Sequence, residues 1–128
     1  GKVLREGQKV ALVATGMMVQ EALKAADILS KEGILVTVVD MPCIKPIDEE
    51  LIEKIAKSHE IIITCEEHNV YGGLGSAVSE VTSKKSPVRM EMMGMQDTFG
   101  ESGTPNELLA KYGLNADHIV EMVKNEYR

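Results

Sequence analysis

The stretch Lys9-Val10-Ala11-Leu12-Val13-Ala14 decides the fold, because it is a short and nearly continuous apolar run. Such a run is typical of a strand that is buried on both faces of a parallel sheet. Two similar runs follow: residues 35–39, rich in the β-branched residues that suit strands, and residues 60–65. Residues 88–93 form a fourth such segment. The sequence therefore predicts four buried parallel strands.

Segments with helical spacing separate these runs. Apolar residues recur every three or four positions from Val19 to Leu29, and Gly33 is placed to end that helix. Asp48 is a typical N-cap, and the helix after it carries one apolar side, made of Leu51, Ile52, Ile55 and Ala56. A third helix is predicted from about Gly73 to Lys84. Strand and helix thus alternate through this part of the chain.

The two ends of the chain add an edge strand and two helices. Residues 2–4 turn back at Glu6-Gly7 into the first buried run, which predicts a short antiparallel edge strand. Thr104-Pro105-Asn106-Glu107 matches a capping box, and Gly113 is placed to end the helix that it starts. Asn115 caps a last helix through Val123.

Alternation of strands and helices predicts the fold class. We expect an α/β fold: a single doubly wound three-layer domain over residues 1–128, with helices on both faces of the sheet. The sheet has about five strands, mostly parallel, with one antiparallel edge strand. Neither linkers nor repeats divide the chain.

Composition narrows the classes of partner. Aromatic residues make up 3% of the 128 residues and hydrophobic residues 44%, which predicts an aliphatic core. Against 14 basic residues stand 20 acidic ones, and the net charge of −6 argues against binding to nucleic acid or anionic membranes. Apolar runs are too short to span a bilayer, and the start is not a signal peptide. Cys43 and Cys65 lie in apolar stretches rather than in a disulfide framework, so we expect a reduced, cytoplasmic protein.

The richest candidate site follows the third buried run. In such sheets ligands bind beyond the carboxyl ends of the strands, and here Glu66-Glu67-His68 leads through a glycine-rich turn into a helix. Backbone amides at a helix N-terminus favour anions, which suggests a phosphate or carboxylate site. Its candidate residues are Glu67, His68, Gly72, Gly73, Gly75 and Ser76. The alternative is a tight turn whose glycines let the helix pack against the sheet, and the adjacent carboxylates would repel an anion.

The remaining reactive residues carry no predicted chemistry. Consecutive side chains on a strand point to opposite faces, so Glu66, Glu67 and His68 do not converge on one metal ion. We expect His59 and His118 to be solvated at helix surfaces or ends, and both cysteines to be packed, unreactive thiols. Four methionines between residues 90 and 95 fill gaps or belong to a subunit interface. Catalytic, cofactor-binding and metal-binding residues are therefore predicted to be absent from this chain.

A series of short motifs resembles the C-terminal domain of the transketolase family. The resemblance runs from about Arg5 to Lys124. The motifs, in order, are Ala14-Thr15-Gly16, Glu21-Ala22 through Ala26, Gly33-Ile34, Lys45-Pro46-Ile47-Asp48, Glu66-Glu67-His68, Tyr71-Gly72-Gly73-Leu74-Gly75-Ser76-Ala77, Phe99-Gly100-Glu101-Ser102-Gly103, Leu108-Leu109 and Lys111-Tyr112-Gly113-Leu114. The last three resemble transketolase best, particularly transketolases that are split into two polypeptides.

The resemblance implies an activity for a larger enzyme. Transketolases transfer a two-carbon ketol unit between sugar phosphates, a reaction of the pentose phosphate pathway, with thiamine diphosphate and magnesium. The family holds that cofactor in other domains, through a Gly-Asp-Gly motif and an Asn pair, and neither occurs here. The resemblance therefore implies a domain that is inactive alone, that supports the active-site domains and a homodimer, and that has a regulatory role. Its partner would be the upstream transketolase domains or an N-terminal subunit.

Two other functions stay open at this point. One is a free-standing module that binds a small anion or a nucleotide at the glycine turn. The other is the C-terminal domain of a related enzyme, 1-deoxyxylulose-5-phosphate synthase or a 2-oxo acid dehydrogenase beta subunit, with a role in partner docking.

Overall fold

The computed structural model describes residues 1–42, 44–69, 73–95 and 115–127, with the backbone alone for residues 68, 69 and 95. Within these ranges five strands alternate with four helices. The elements are β1 (Lys2–Arg5), β2 (Val10–Ala14), α1 (Met18–Lys31), β3 (Thr37–Asp40), α2 (Glu49–Ser58), β4 (Ile61–Asn69), α3 (Leu74–Lys85), β5 (Arg89–Met95) and α4 (Ala116–Asn125). The predicted capping box at Thr104 and the helix end at Gly113 lie outside the described residues.

The strands form one sheet in the order β1-β3-β2-β4-β5. All neighbouring pairs are parallel except β1 and β3, where Lys2 pairs with Asp40 and Val3 with Val39 in antiparallel register. This confirms the predicted α/β class, the mostly parallel sheet and the antiparallel edge strand.

Aliphatic clusters cover both faces of the sheet. Val10, Leu12 and Ala14 of β2 pack with α1 and α4, whereas Ala11 and Val13 pack with α2 and α3. All five residues of β2 are 0% exposed, as the continuous apolar run predicts. The three-layer arrangement follows, since each face of the sheet needs its own helical cover.

Strand β4 is longer than the sequence predicts. The third buried run was expected to end at Cys65, but β4 continues to Asn69, and its pairing with β5 is irregular between Cys65 and Asn69. Acidic residues at positions 66 and 67 are typical of a loop. They remain in the strand because their carboxylates find hydrogen-bond donors on the two helical layers, as described below.

The order of the strands reverses between β2 and β4, and the position between these two strands is the strand-order switch. From β2 the chain passes through α1 to β3 on one side, and β4 on the other side continues through α3 to β5. Helices α1 and α3 therefore begin on opposite faces of the sheet at the same edge, which is the place where open α/β sheets bind ligands. Among the described residues no helix is long and apolar enough to cross a membrane.

Candidate functional site

The end of β4 places two adjacent carboxylates at this switch. Side chains alternate along a strand, so Glu66 points to the face covered by α2 and α3, and Glu67 points to the face covered by α1. Glu66 is 0% exposed, and Glu67 is half-buried. The predicted divergence of these two side chains is confirmed by their separate partners.

Glu66 accepts two backbone hydrogen bonds at the start of α3. The amide of Leu74 donates to Oε1 and the amide of Gly75 donates to Oε2, each at 2.9 Å. Helix α3 has Gly73 at its N-cap and no capping bond from a side chain of its own N-terminus. The Glu66 carboxylate therefore satisfies two of the amides that a helix leaves unpaired, and its charge complements the helix dipole.

Glu67 does the same for α1 on the other face. The amide of Met17 donates to Glu67 Oε2 at 3.0 Å. Gly16 has φ +60°, and a Cβ at this position would collide with Glu67 Oε1. The backbone conformation at position 16 thus favours glycine, and a Cβ there would force the Glu67 carboxylate to shift.

The predicted anion-site residues are only partly brought together. Gly73 and Gly75 lie at the start of α3, and Ser76 lies half-buried in its first turn. His68 is placed by its backbone near the end of β4, and Gly72 lies outside the described residues. A Cβ at Gly75 would lie 2.8 Å from Met92 Sδ and 3.1 Å from Thr64 Oγ1, so this glycine has a packing role. Anion binding at these residues stays a prediction.

Thr64 is a buried polar residue beneath the start of α3. It is 0% exposed, and among the described residues its Oγ1 has no hydrogen-bond partner. Because Thr64 and Glu66 are two residues apart on β4, both belong to the α3 face of the strand. A hydroxyl without a partner is costly in a protein interior. The sequence does not identify it, because burial and not residue type makes it unusual.

A surface cleft of about 340 Å³ lies beside α3. The segment between β3 and α2 forms one wall and α3 the other. Two lysines and two glutamates, Lys45, Lys84, Glu49 and Glu80, line it together with Ile47 and Ser76. The charges of these four side chains balance, so the cleft has no net attraction for an anion.

Cys65 is a packed thiol, as predicted. It is 0% exposed, and burial, followed by the charge of Glu66, raises the pKa of its thiol to about 12. A thiol in that state is not a nucleophile at neutral pH. Cys43 lies outside the described residues, so its predicted role stays a prediction. Within the described ranges no three His, Cys, Asp or Glu residues are grouped to hold a metal ion.

His59 lies at the end of α2, as predicted, but it is half-buried and not fully solvated, whereas His118 is exposed. His59 is half-buried and lies 2.7 Å from Thr37 Oγ1 through Nε2 and 2.9 Å from the Ile55 carbonyl oxygen through Nδ1. The His59 side chain contacts the start of β3, and such a long-range contact cannot be predicted from the periodicity of the sequence. His118 bonds to its own N-cap residue, Asn115.

Comparison with known families assigns this architecture. The family model described as "Transketolase, C-terminal domain" matches residues 1–119. The chain belongs to the transketolase C-terminal domain family. Among solved structures, one titled "Split gene transketolase, inactive beta4 tetramer" superposes with a TM-score of 0.90 at 49% identity, over 97% of this chain and 41% of that one.

Curated members of the family are larger proteins. A 1-deoxy-D-xylulose-5-phosphate synthase of Desulforudis audaxviator is 43% identical over 129 residues, which is 99% of this chain and 20% of that protein. The 6-deoxy-6-sulfo-D-fructose transketolase subunit SqwH of a Clostridium species is 42% identical over 118 residues, 92% of this chain and 37% of that protein. The transketolase C-terminal domain described here thus spans between 20% and 40% of the length of such relatives.

Proposed function

We propose that this chain is the C-terminal part of a transketolase assembled from separate segments, and that it supports the active site without contributing catalytic groups. The whole enzyme would move a two-carbon ketol unit between sugar phosphates. The transketolase C-terminal domain would stabilise the assembly, including a homodimer, and present a regulatory surface. Support comes from the family, from the split-gene neighbour and from the fraction of the relatives that the chain spans.

One structural observation carries the non-catalytic role. At the switch in strand order, Glu66 and Glu67 are both hydrogen-bonded to helix N-termini. Both oxygens of the buried Glu66 and Oε2 of Glu67 are thus bound to backbone amides, which favours a structural role for these carboxylates over proton transfer to a substrate.

The cofactor of the family fits other domains better than this one. The family implies thiamine diphosphate in the full enzyme. A diphosphate favours helix amides, but the amides of Met17, Leu74 and Gly75 already donate to carboxylates. The described residues include no metal-binding cluster for magnesium. These residues do not fit the cofactor, and we place it in the upstream domains or subunit.

The decisive experiment is reconstitution of the split enzyme. The 128-residue chain and the segment that corresponds to the remainder of a longer relative are purified separately, and ketol transfer between sugar phosphates is measured with thiamine diphosphate and magnesium. We expect no turnover from either part alone, and turnover with co-elution when both are combined. A matched control replaces the chain with a heat-denatured sample. Turnover by the isolated chain, or full activity of the other segment without it, would contradict the proposal.

The related reaction of 1-deoxyxylulose-5-phosphate synthase is the second candidate for the assembled enzyme. Its specific support is the 43% identity to such a synthase over 99% of the chain. The reconstituted enzyme distinguishes the two when it is offered pyruvate with an aldose phosphate, or a ketose phosphate with an aldose phosphate. Turnover of only one pair identifies the reaction.

A further inference from the structure

We propose that Glu66 and Glu67 are built-in anions, which occupy the two helix N-termini beside the strand-order switch and close the ligand crevice of this fold to phosphate groups. Both carboxylates and both helices belong to this chain, so their contacts do not depend on the reaction that the assembled enzyme performs.

The four helices are capped in two different ways. Helices α2 and α4 carry their own N-cap side chains, since Asp48 accepts the amide of Leu51 and Asn115 accepts the amide of His118. Helices α1 and α3, which begin at the switch, have no capping bond from their N-cap residues Met17 and Gly73. At α3 the amides of Leu74 and Gly75 bond to Glu66 instead. At α1 the amide of Met17 bonds to Glu67, and the next two amides bond to backbone carbonyl oxygens. The two strand glutamates therefore take the place of the N-cap side chains that α1 and α3 lack.

The carboxylates match the hydrogen-bond donors at the two helix N-termini. Both oxygens of Glu66 are used, one for each amide, at the N-terminus of α3. On the opposite face Oε2 of Glu67 takes the Met17 amide, and Oε1 lies against Gly16 where a Cβ would not fit. Each group thus stands where a bound phosphate oxygen would otherwise be held by helix amides.

A free anion cannot readily replace the carboxylate of Glu66. Glu66 is 0% exposed, so its carboxylate has no solvated position near at hand. An anion at either helix would also lie close to the negative charge that remains on the other glutamate. The native crevice is therefore both filled and electrostatically unfavourable for phosphate.

A carboxylate removed from β4 would leave a defined vacancy. At α3 this vacancy has the amides of Leu74 and Gly75 as donors. The hydroxyl of Thr64, buried and without a partner among the described residues, lies beside Gly75. The two amides suit a small carboxylate such as formate, which restores the lost acceptor without the side chain.

Chemical rescue tests the proposal on the 128-residue chain. The variants are Glu66→Ala and Glu67→Ala, and the matched control is Asp48→Ala, which removes the surface N-cap of α2. Sodium formate and inorganic phosphate are titrated separately at constant ionic strength, with chloride as the balance. The readouts are the backbone amide NMR signals of Met17, Leu74 and Gly75, and the melting temperature.

The expected pattern is specific to each helix. Formate shifts the Leu74 and Gly75 signals saturably in Glu66→Ala and the Met17 signal in Glu67→Ala, and it raises the melting temperature of both variants. The unaltered chain and Asp48→Ala show no saturable shift at these amides with formate or phosphate. Saturable phosphate shifts at these amides in the unaltered chain would overturn the proposal, and so would folded variants that formate leaves unchanged.

A second variant keeps the test decisive if Glu66→Ala does not fold. Glu66→Gln preserves the shape and one acceptor oxygen but removes the charge. We expect amide hydrogen exchange at Leu74 and Gly75 to become about tenfold faster or more, since bonds to a charged acceptor are the stronger ones. Exchange at Met17 should stay as in the unaltered chain. Unchanged exchange at Leu74 and Gly75 would refute a role for the Glu66 charge.

Discussion

Thr37 Oγ1 and His59 Nε2 lie 2.7 Å apart and join the start of β3 to the end of α2. The amide of Gly7 donates to the same hydroxyl at 2.9 Å. The carbonyl oxygen of Ile55 can only accept, so the tautomer with its hydrogen on Nδ1 satisfies this 2.9 Å contact. Nε2 is then the acceptor for the Thr37 hydroxyl. The Thr37 hydroxyl thus accepts from Gly7 and donates to His59, and three parts of the chain are held together at the amino edge of the parallel strands.

Two threonines predict opposite effects of the same substitution. Thr37→Val leaves the Gly7 amide and His59 Nε2 without a partner, and we expect the free energy of unfolding to fall by about 1–3 kcal/mol. Thr64 is equally buried but makes no hydrogen bond among the described residues. Thr64→Val should therefore leave stability unchanged or raise it, by up to about 1 kcal/mol. Urea unfolding followed by circular dichroism measures both. Equal losses would contradict the assigned network.

Cys65 should impose a pH dependence on stability in the alkaline range. Burial raises the pKa of its thiol from 9.0 to about 12. The folded chain therefore keeps its proton where the unfolded chain has lost it, so this contribution is intact below pH 9 and is lost as the pH rises from 9 towards 12. Above pH 9 we expect the stability of the unaltered chain to fall more steeply than that of Cys65→Ala, by about 1 kcal/mol per pH unit. Equal slopes of stability against pH in the two chains would show that burial does not raise the pKa of the Cys65 thiol.

Two glycines with positive φ allow the free-energy cost of backbone strain to be measured apart from the cost of a steric collision. Gly16 has φ +60° and Gly33 has φ +82°, but a Cβ at Gly33 meets no atom within 4 Å, whereas one at Gly16 meets Glu67. Gly33→Ala should cost about 1 kcal/mol through the left-handed conformation alone. Gly16→Ala should cost at least about 2 kcal/mol, since the Glu67 carboxylate must also move.

A double-mutant cycle completes the test of Gly16. If the excess cost comes from Glu67, Gly16→Ala should cost no more than Gly33→Ala when it is made in a Glu67→Ala background. Thermal unfolding of the four chains gives the interaction energy. Strictly additive costs would mean that the carboxylate does not approach Gly16.

The local caps of α2 and α4 should behave independently. Asp48 and Asn115 lie on helices that cover opposite faces of the sheet, and each accepts one amide. We expect Asp48→Ala and Asn115→Ala each to lower the free energy of unfolding by about 1 kcal/mol, with additive effects in the double variant. Glu53→Ala, in the middle of α2, is the control for helix composition. A coupling larger than the two single effects would contradict this independence.

Local signals in the sequence predicted most of the fold. Apolar runs, helical spacing, the glycine at position 33 and the caps Asp48 and Asn115 act over a few residues, and all of them appear in the structure. The end of β4 was misplaced because two glutamates in succession are typical of a loop. What keeps them in the strand is a pair of helix N-termini, and one of these comes from a distant part of the chain.

The location of the candidate site could be predicted from the sequence, but the contacts of its side chains could not. Strand-end reasoning located the edge of the sheet, and strand alternation predicted that Glu66 and Glu67 diverge. Strand alternation does not predict that each carboxylate contacts the start of a helix. A usable signal was the absence of the usual N-cap residues Ser, Thr, Asp and Asn at residues 16–18 and 73–75. Thr37 and His59 offered no comparable signal, since their contact depends on tertiary packing.

The two carboxylates of β4 differ greatly in the length of chain that their contacts enclose. Glu66 bonds to residues eight and nine positions away, whereas Glu67 bonds to a residue fifty positions away. Closing the short loop costs less conformational entropy than closing the long one. The contacts of Glu66 can therefore form early in folding, together with the unit made of β4 and α3. The contact of Glu67 requires β2 and β4 to be already side by side. Neighbouring residues of identical chemistry would thus report separate stages of folding, the first local and the second the closure of the sheet's centre.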